Sequence, residues 1–292
     1  MPSAAAGVFL YVETSLHVGT GEPGRAIDLP LQRDEDGLPL VPESSVRGSL
    51  VAAVRRRCDK DQVVWAFGSP PGSESPLVGV LSFSPMRPLL FPVRTYQGVF
   101  AWITCSSAVG SWLTQAEKHR LAVDPPPVAP PGEFEAVVAP GCPMLTNRGT
   151  LVIEEFTFPV RQHDAMRRFN EWLAKISLPR EPAYGFWRER FSGGVVLVPD
   201  DVFAFFLRHR TAVVQRVAID PATGTALDGA MWTQESLPAE TLLCGFVSAE
   251  DRGHVPPVAV SGVSWLKQLE IERLQIGANR TLGGGLVRWV WI

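Results

Sequence analysis

The sequence predicts an α+β fold. Three observations predict it. Apolar strand-like runs and amphipathic helical patterns follow one another irregularly, without the strict βαβα order of a doubly wound sheet. The 292 residues are 46% hydrophobic and 20% charged, enough for a real core in one large domain or two modest ones. Both ends of the chain are strand-like, at residues 8–12 and 286–292.

Residues 8–12 (Val-Phe-Leu-Tyr-Val) are a continuous apolar run, the pattern of a buried strand. Residues 17–24 hold three glycines and a proline and predict a turn or loop. Residues 26–33 suit an extended segment with Asp28 in its middle, and Asp34-Glu35-Asp36-Gly37 suits a turn. After Pro42, Ser44 or Ser45 can cap a helix whose Val46, Leu50, Ala53 and Val54 recur at helical spacing. Arg55, Arg56 and Arg57 close it, where cations suit the helix dipole; they also serve as a plain solvated helix end.

Residues 69–76 are a loop by composition, and 78–83, 89–93 and 99–104 suit strands. Residues 111–120 suit a helix. The proline-rich stretch 124–133 cannot hold regular structure and predicts an exposed connector. Residues 151–160 predict one strand. Met166, Phe169, Trp172 and Leu173 mark an amphipathic helix over 164–176. Residues 195–198 follow as a strand, and Asp200-Asp201 opens the next helix. Residues 213–219, the turn 220–224 and the segment after it predict a hairpin. Strands are expected at 238–246, 269–276 and 286–292. In a ferredoxin-like sheet the first and last strands are neighbours, which brings the loops at 17–24 and 277–285 to one edge.

The net charge of −3 argues against a free-standing, non-specific nucleic-acid binder. It leaves room for one local basic face, since backbone affinity depends on where Lys and Arg sit. Cys58, Cys105, Cys142 and Cys244 stand far apart, with neither zinc-ligand spacing nor a disulfide framework, so reduced, partly buried thiols are expected. No signal-peptide pattern and no apolar run of about 20 residues is present, which implies a cytoplasmic protein without a membrane span.

The chemistry-bearing residues cluster near the start. Leu16-His17-Val18-Gly19-Thr20-Gly21, then Ile27-Asp28-Leu29-Pro30, then Ser44-Ser45-Val46-Arg47 place a glycine turn, one isolated acid and a helix N-terminus close together. A helix N-terminus offers amides and a positive dipole end to an anion, and capping alone explains the serines equally well. A second glycine-rich segment holds Gly277, Asn279, Arg280, Gly283, Gly284 and Gly285; glycine lets a backbone approach phosphate closely. It matches neither a P-loop nor a dinucleotide fingerprint, which excludes an NTPase or Rossmann enzyme. Asp28 is either a satisfied structural carboxylate or a catalytic one. One carboxylate suffices to cut RNA, because the 2′-hydroxyl is already the nucleophile and needs alignment and a proton acceptor or metal ligand. His17 and Glu235 are further candidates, each with a structural reading: a histidine beside a turn, and a surface acid in a loop. The nine tryptophans could stack bases, but most belong to a core.

Taken in order, these segments resemble the RAMP superfamily of CRISPR effector proteins. Within it they look like the repeated backbone subunit, the fourth Cmr subunit, of type III-B complexes. The resemblance runs from Leu16-His17-Val18-Gly19-Thr20-Gly21 through Ala26-Ile27-Asp28-Leu29-Pro30-Leu31-Gln32-Arg33 and Pro42 to Leu50. It continues through Phe67-Gly68, Leu90-Phe91-Pro92-Val93-Arg94, Asp220-Pro221-Ala222-Thr223-Gly224-Thr225 and Glu235-Ser236-Leu237-Pro238 to the 277–285 loop. It implies a single modified ferredoxin-like palm over 1–292, with finger and thumb insertions within 15–45 and 200–245. It implies guide (CRISPR) RNA, target RNA, other Cmr subunits and further copies of the chain as partners. It further implies endoribonuclease activity only inside the assembled complex, by 2′-hydroxyl attack with a divalent metal, Mg²⁺ or Mn²⁺. The family's catalytic aspartate matches Asp28, which would also be the metal ligand. His17 and Glu235 match positions near that acid. Ser44, Ser45, Arg47 and the 277–285 loop match the guide-holding surface. A non-catalytic guide-binding subunit and a Csm-type backbone subunit are the alternatives. The family pattern Pro-Gly-Ser-Ser-Leu-Lys-Gly is here Pro42-Glu43-Ser44-Ser45-Val46-Arg47-Gly48, so an acid stands beside the expected phosphate contact. Phe83-Ser84-Pro85-Met86 likewise replaces Phe-Ser-Asp-Ala.

Overall fold

A computed structural model describes residues 4–252 and 257–292. The chain opens with β1 (Ala4–Val12), then α1 (Glu43–Val54) and α2 (Lys60–Phe67). There follow β2 (Leu81–Phe83), β3 (Arg87–Arg94), β4 (Phe100–Thr104) and α3 (Ser106–Lys118). Next come β5 (Ala136–Val138), β6 (Leu151–Ile153), β7 (Phe156–Phe158), β8 (Val160–Gln162), α4 (Asp164–Ser177) and α5 (Gly185–Gly194). The last part holds β9 (Val195–Leu197), α6 (Asp200–His209), β10 (Ala212–Ile219), β11 (Ala226–Ser236) and β12 (Leu242–Ala249). It closes with α7 (Gly262–Gln268), β13 (Arg273–Gln275) and β14 (Leu286–Trp291).

Among the described residues, ten strands form one mixed sheet in the order β13-β14-β1-β12-β3-β4-β9-β5-β8, with β2 also on β12. β1 is continuous in apolar residues because both of its faces are covered. Val8, Leu10 and Val12 enter one core; Phe9 and Tyr11 enter the other. The first core is closed by α1, α2, α6 and α7 through Val46, Leu50, Val63, Phe206 and Trp265. The second is closed by α3, α4 and α5 through Trp112, Phe169, Leu173 and Phe191. β1 lies antiparallel to β14, with Val12 opposite Val287, so the first and last strands are neighbours as expected. β10 and β11 form a separate two-stranded sheet, bridged at Gln234 by Leu29, and are mostly exposed towards their tip.

Several elements differ from the sequence expectation. Ser44 and Ser45 do not cap α1. Pro42 is the N-cap, without a side-chain bond, and the serines fall in the first turn. Residues 151–160 are not one strand: Glu154 adopts φ 49° and turns β6 back onto β7, after which β8 runs parallel to β5. The strands expected at 78–83 and 269–276 shrink to β2 and β13. α3 begins earlier than expected because Cys105 Sγ accepts the Ala108 N–H (3.4 Å). α2, α5 and α7 were not read from sequence; Ser261 caps α7 through the Ser264 N–H (3.2 Å). All four cysteines are free thiols, three of them buried. Among the described residues, no helix is long and apolar enough to cross a membrane.

Candidate nucleic-acid interface and active site

The pairing of β1 with β14 sets where the two glycine-rich segments meet. Beyond Val12, the Glu13 N–H donates to Leu286 O (2.9 Å), and the Gly285 N–H donates to Ser15 O (2.9 Å). The Ala278 N–H donates to His17 O (3.0 Å). The contact requires glycine. Gly277 has φ +74°, and a Cβ there would lie 2.1 Å from His17 O. Gly285 has φ +77°, and its Cβ would lie 2.1 Å from Ile276 O. Gly284 and Gly285 are buried and serve this close approach, whereas Gly277, Arg280 and Gly283 are exposed and Asn279 is half-buried. Asn279 (φ 64°) opens a short 3₁₀ turn over Arg280–Leu282 that carries the arginine outward.

The acid-bearing segment 26–33 crosses the base of the β10–β11 hairpin. The Leu29 N–H donates to Thr233 O (3.0 Å), and the Glu235 N–H donates to Leu29 O (3.0 Å). Asp28 is exposed. Its Oδ2 accepts from the Thr233 N–H (2.7 Å) and the Thr233 hydroxyl (2.8 Å). These bonds, the backbone one foremost, hold its carboxyl below the usual carboxylate range. A carboxylate held ionised in this way suits a cation or a developing positive charge.

Glu235 is placed differently. It lies at the end of β11, 2% exposed, and is not a surface acid in a loop. Its Oε1 accepts from Arg33 and from the Thr211 hydroxyl (2.5 Å), and its Oε2 accepts the Leu31 N–H (2.8 Å). Both oxygens are therefore committed to tying segment 26–33 to the hairpin. His17 is buried, and its Nδ1–H donates to Glu235 O (2.5 Å), which assigns the tautomer. His17, Asp28 and Glu235 thus meet along residues 233–235, with Gly277–Ala278 on the far side of His17.

Ser44, Ser45 and Arg47 sit on α1, which packs beside β13, the strand leading to the 277–285 loop. The Arg47 Nε–H donates to Phe67 O (3.1 Å), the carbonyl ending α2. Arg47 is the fifth residue of α1, beyond its first turn, and this contact accounts for its charge without any external anion. Arg47, Arg55 and Lys60 rim an open cleft of about 560 Å³ floored by Val51, Val63 and Phe67. Trp65, Trp102, Trp112, Trp265 and Trp289 are buried; the other tryptophans are half-buried, including Trp232 on the hairpin. Among the described residues, no cluster of three or more His, Cys, Asp or Glu could hold a metal. Sequence reasoning missed Thr233, Arg33 and Thr211. A threonine in a strand is unremarkable, and its partner Asp28 lies 205 residues away.

A profile of the RAMP superfamily matches residues 9–288. The chain is 27% identical over 285 residues to the CRISPR system Cmr endoribonuclease Cmr4 of Pyrococcus furiosus, covering 96% of this chain and 93% of that one. Its fold is similar to oligomeric Cmr4 from Pyrococcus furiosus (TM-score 0.72, 21% identity, 99% and 98% of the two chains). It is also similar to a chain of the type III-B Cmr-beta complex bound to cognate target RNA (TM-score 0.73, 16% identity, 99% and 98%).

Proposed function

The chain belongs to the RAMP superfamily, and we propose that it is a repeated backbone subunit of a type III-B RNA-guided complex. In that complex it holds guide RNA and cuts the paired target RNA beside Asp28. One observation carries this reading. Two glycine-bearing segments from opposite ends of the chain join at His17, and an exposed, ionised acid stands on the segment tied to the same strand end. The similarity to Cmr4, a named endoribonuclease, supports the activity. The fold shared with oligomeric Cmr4 and with the target-bound Cmr-beta complex supports assembly into a backbone on RNA.

The exposed Arg280 of the 277–285 loop meets phosphate, as does the N-terminal end of α1 at Ser44. Base pairing with the guide supplies sequence specificity, while the protein grips backbone and shape. In cleavage the target's 2′-hydroxyl gives its proton to solvent and its oxygen bonds to the adjacent phosphorus, while the bond from phosphorus to the 5′-oxygen breaks and that oxygen takes a proton from solvent. This leaves a 2′,3′-cyclic phosphate and a 5′-hydroxyl. The chain's part is alignment: segment 26–33 holds Asp28 over the ribose to be cut. Asp28 is also the one residue of this site that suits a divalent ion. A hard ion such as Mg²⁺ or Mn²⁺ takes one or two carboxylates plus phosphate and water rather than an all-protein cage. Such an ion would neutralise charge building on the phosphate. Glu235 and His17 hold the frame and do not touch RNA.

Asp28→Ala in the complex reconstituted with guide RNA tests the proposal. Guide and target binding should match the parent, and target cleavage should be lost. Cleavage at the parental rate would remove Asp28 from the reaction and leave a guide-holding subunit. Loss of guide binding would overturn the placement of Asp28 outside the grip.

A further inference from the structure

Asp28 does not lie in the extended segment expected from sequence: it is exposed and ends a bend over 25–28, just before the bridge at Leu29, where an aspartate ordinarily samples several rotamers. Its partner prevents this. Oδ2 receives the Thr233 N–H (2.7 Å) and the Thr233 hydroxyl proton (2.8 Å), while the Thr233 Oγ1 itself accepts the Asp28 N–H (3.0 Å). The hydroxyl is donor and acceptor in one closed ring of bonds, which fixes the side-chain torsions of both residues at once. Both bonds from Thr233 to the carboxylate end on Oδ2, and Asp28 is exposed, so Oδ1 is the oxygen that Thr233 does not hold. The ring is anchored. Main-chain bonds join Leu29 to Thr233 and Glu235, and β11 turns from half-exposed to buried from Gln234 onward.

We infer that Thr233 is a positioning residue for cleavage: its hydroxyl aims Asp28 so that Oδ1 faces the target ribose. This rests on the proposed role of Asp28. The hydroxyl, not the methyl group, is the part of the side chain that aims the acid. Valine keeps the β-branch and the N–H but has no hydroxyl. Serine keeps the hydroxyl and loses only the methyl group. A role in hairpin packing and a role in aiming the acid therefore rank these two substitutions in opposite order.

The experiment uses the reconstituted complex with saturating target under single-turnover conditions, with target binding measured in parallel. Thr233→Val should slow cleavage by about ten- to a hundredfold, the range expected when a reacting group is misplaced by a fraction of an ångström to an ångström. Target binding should be unchanged. Thr233→Ser should restore most of the rate. Equal rates for Val, Ser and parent would overturn the inference, as would an active Val variant beside an inactive Ser variant. Asp28→Ala run alongside separates the two levels. If it cleaves normally, the role of Asp28 fails and the inference falls with it. If it is inactive while Thr233→Val cleaves at the parental rate, the positioning role alone is refuted.

Discussion

Truncating Glu235 tests whether this acid is a structural tie. Glu235→Ala removes the ion pair to Arg33, the bond from Thr211 and the acceptor of the Leu31 N–H. Breaking a buried ion pair from one side costs about 3–5 kcal/mol. Arg33 softens the loss, because it also donates to Gly37 O (2.6 Å) and Leu207 O (3.3 Å), and its side chain is 24% exposed. The Leu31 N–H has no such alternative: Leu31 is 2% exposed, and an orphaned buried donor costs about 1–3 kcal/mol. Together these place the loss at about 3 kcal/mol, or roughly 5 °C in Tm for a domain of this size. Tryptophan fluorescence melts of the isolated chain read it. Glu235→Gln keeps an acceptor for Leu31 but removes the charge facing Arg33, and should fall between parent and Ala. A Tm for Glu235→Ala within about 1 °C of the parent would refute the reasoning, since surface-like substitutions stay within about 0.5 kcal/mol.

Two further outcomes follow from local geometry. Gly277→Ala should destabilise the chain by about 2–4 kcal/mol, because a side chain at φ +74° meets the His17 carbonyl, whereas Gly283→Ala, at φ +76° but with open space, should lose only about 1 kcal/mol in the same denaturation assay. Burial pushes the Glu240 carboxyl from 4.5 up to about 7, with its Oε2 unpartnered. The folded state therefore holds this proton more tightly than the unfolded one, and the stability present below about pH 4.5 is lost as pH rises through 7. Glu240→Gln should match the parent in Tm at about pH 4.5 and exceed it at about pH 8; parallel Tm curves for the two proteins would contradict this.

Much of the sheet was legible because its signals are local. The unbroken apolar run of β1 and the strand-like end at β14 follow from burial of both faces, and α4 shows its buried stripe in Met166, Phe169 and Leu173. The convergence of the glycine loops was legible through topology, since neighbouring first and last strands leave their connections at one edge. What the sequence hid depends on partners remote in the chain or on unusual local geometry. Glu154 turns the β6–β7 hairpin in a left-handed conformation normally given to glycine. Cys105 caps α3 with sulfur, a weak acceptor that propensity rules do not favour. The serines of α1 have the composition of caps, yet Pro42 holds that position. Glu235 has the composition of a surface acid, and only the fold brings Arg33, Thr211 and the Leu31 amide to it. Thr233 gains meaning only through a pairing that spans most of the chain.

The most direct measurement is the structure of the chain assembled with guide RNA and a target carrying a 2′-deoxyribose at the cut site, which binds but cannot react. We expect Asp28 Oδ1 on the side of that ribose, within about 3 Å or one bridging ion or water of the reacting atoms, with the 277–285 loop against guide phosphates. An Asp28 carboxylate turned towards a neighbouring protein copy, with target RNA running past another face, would contradict the account.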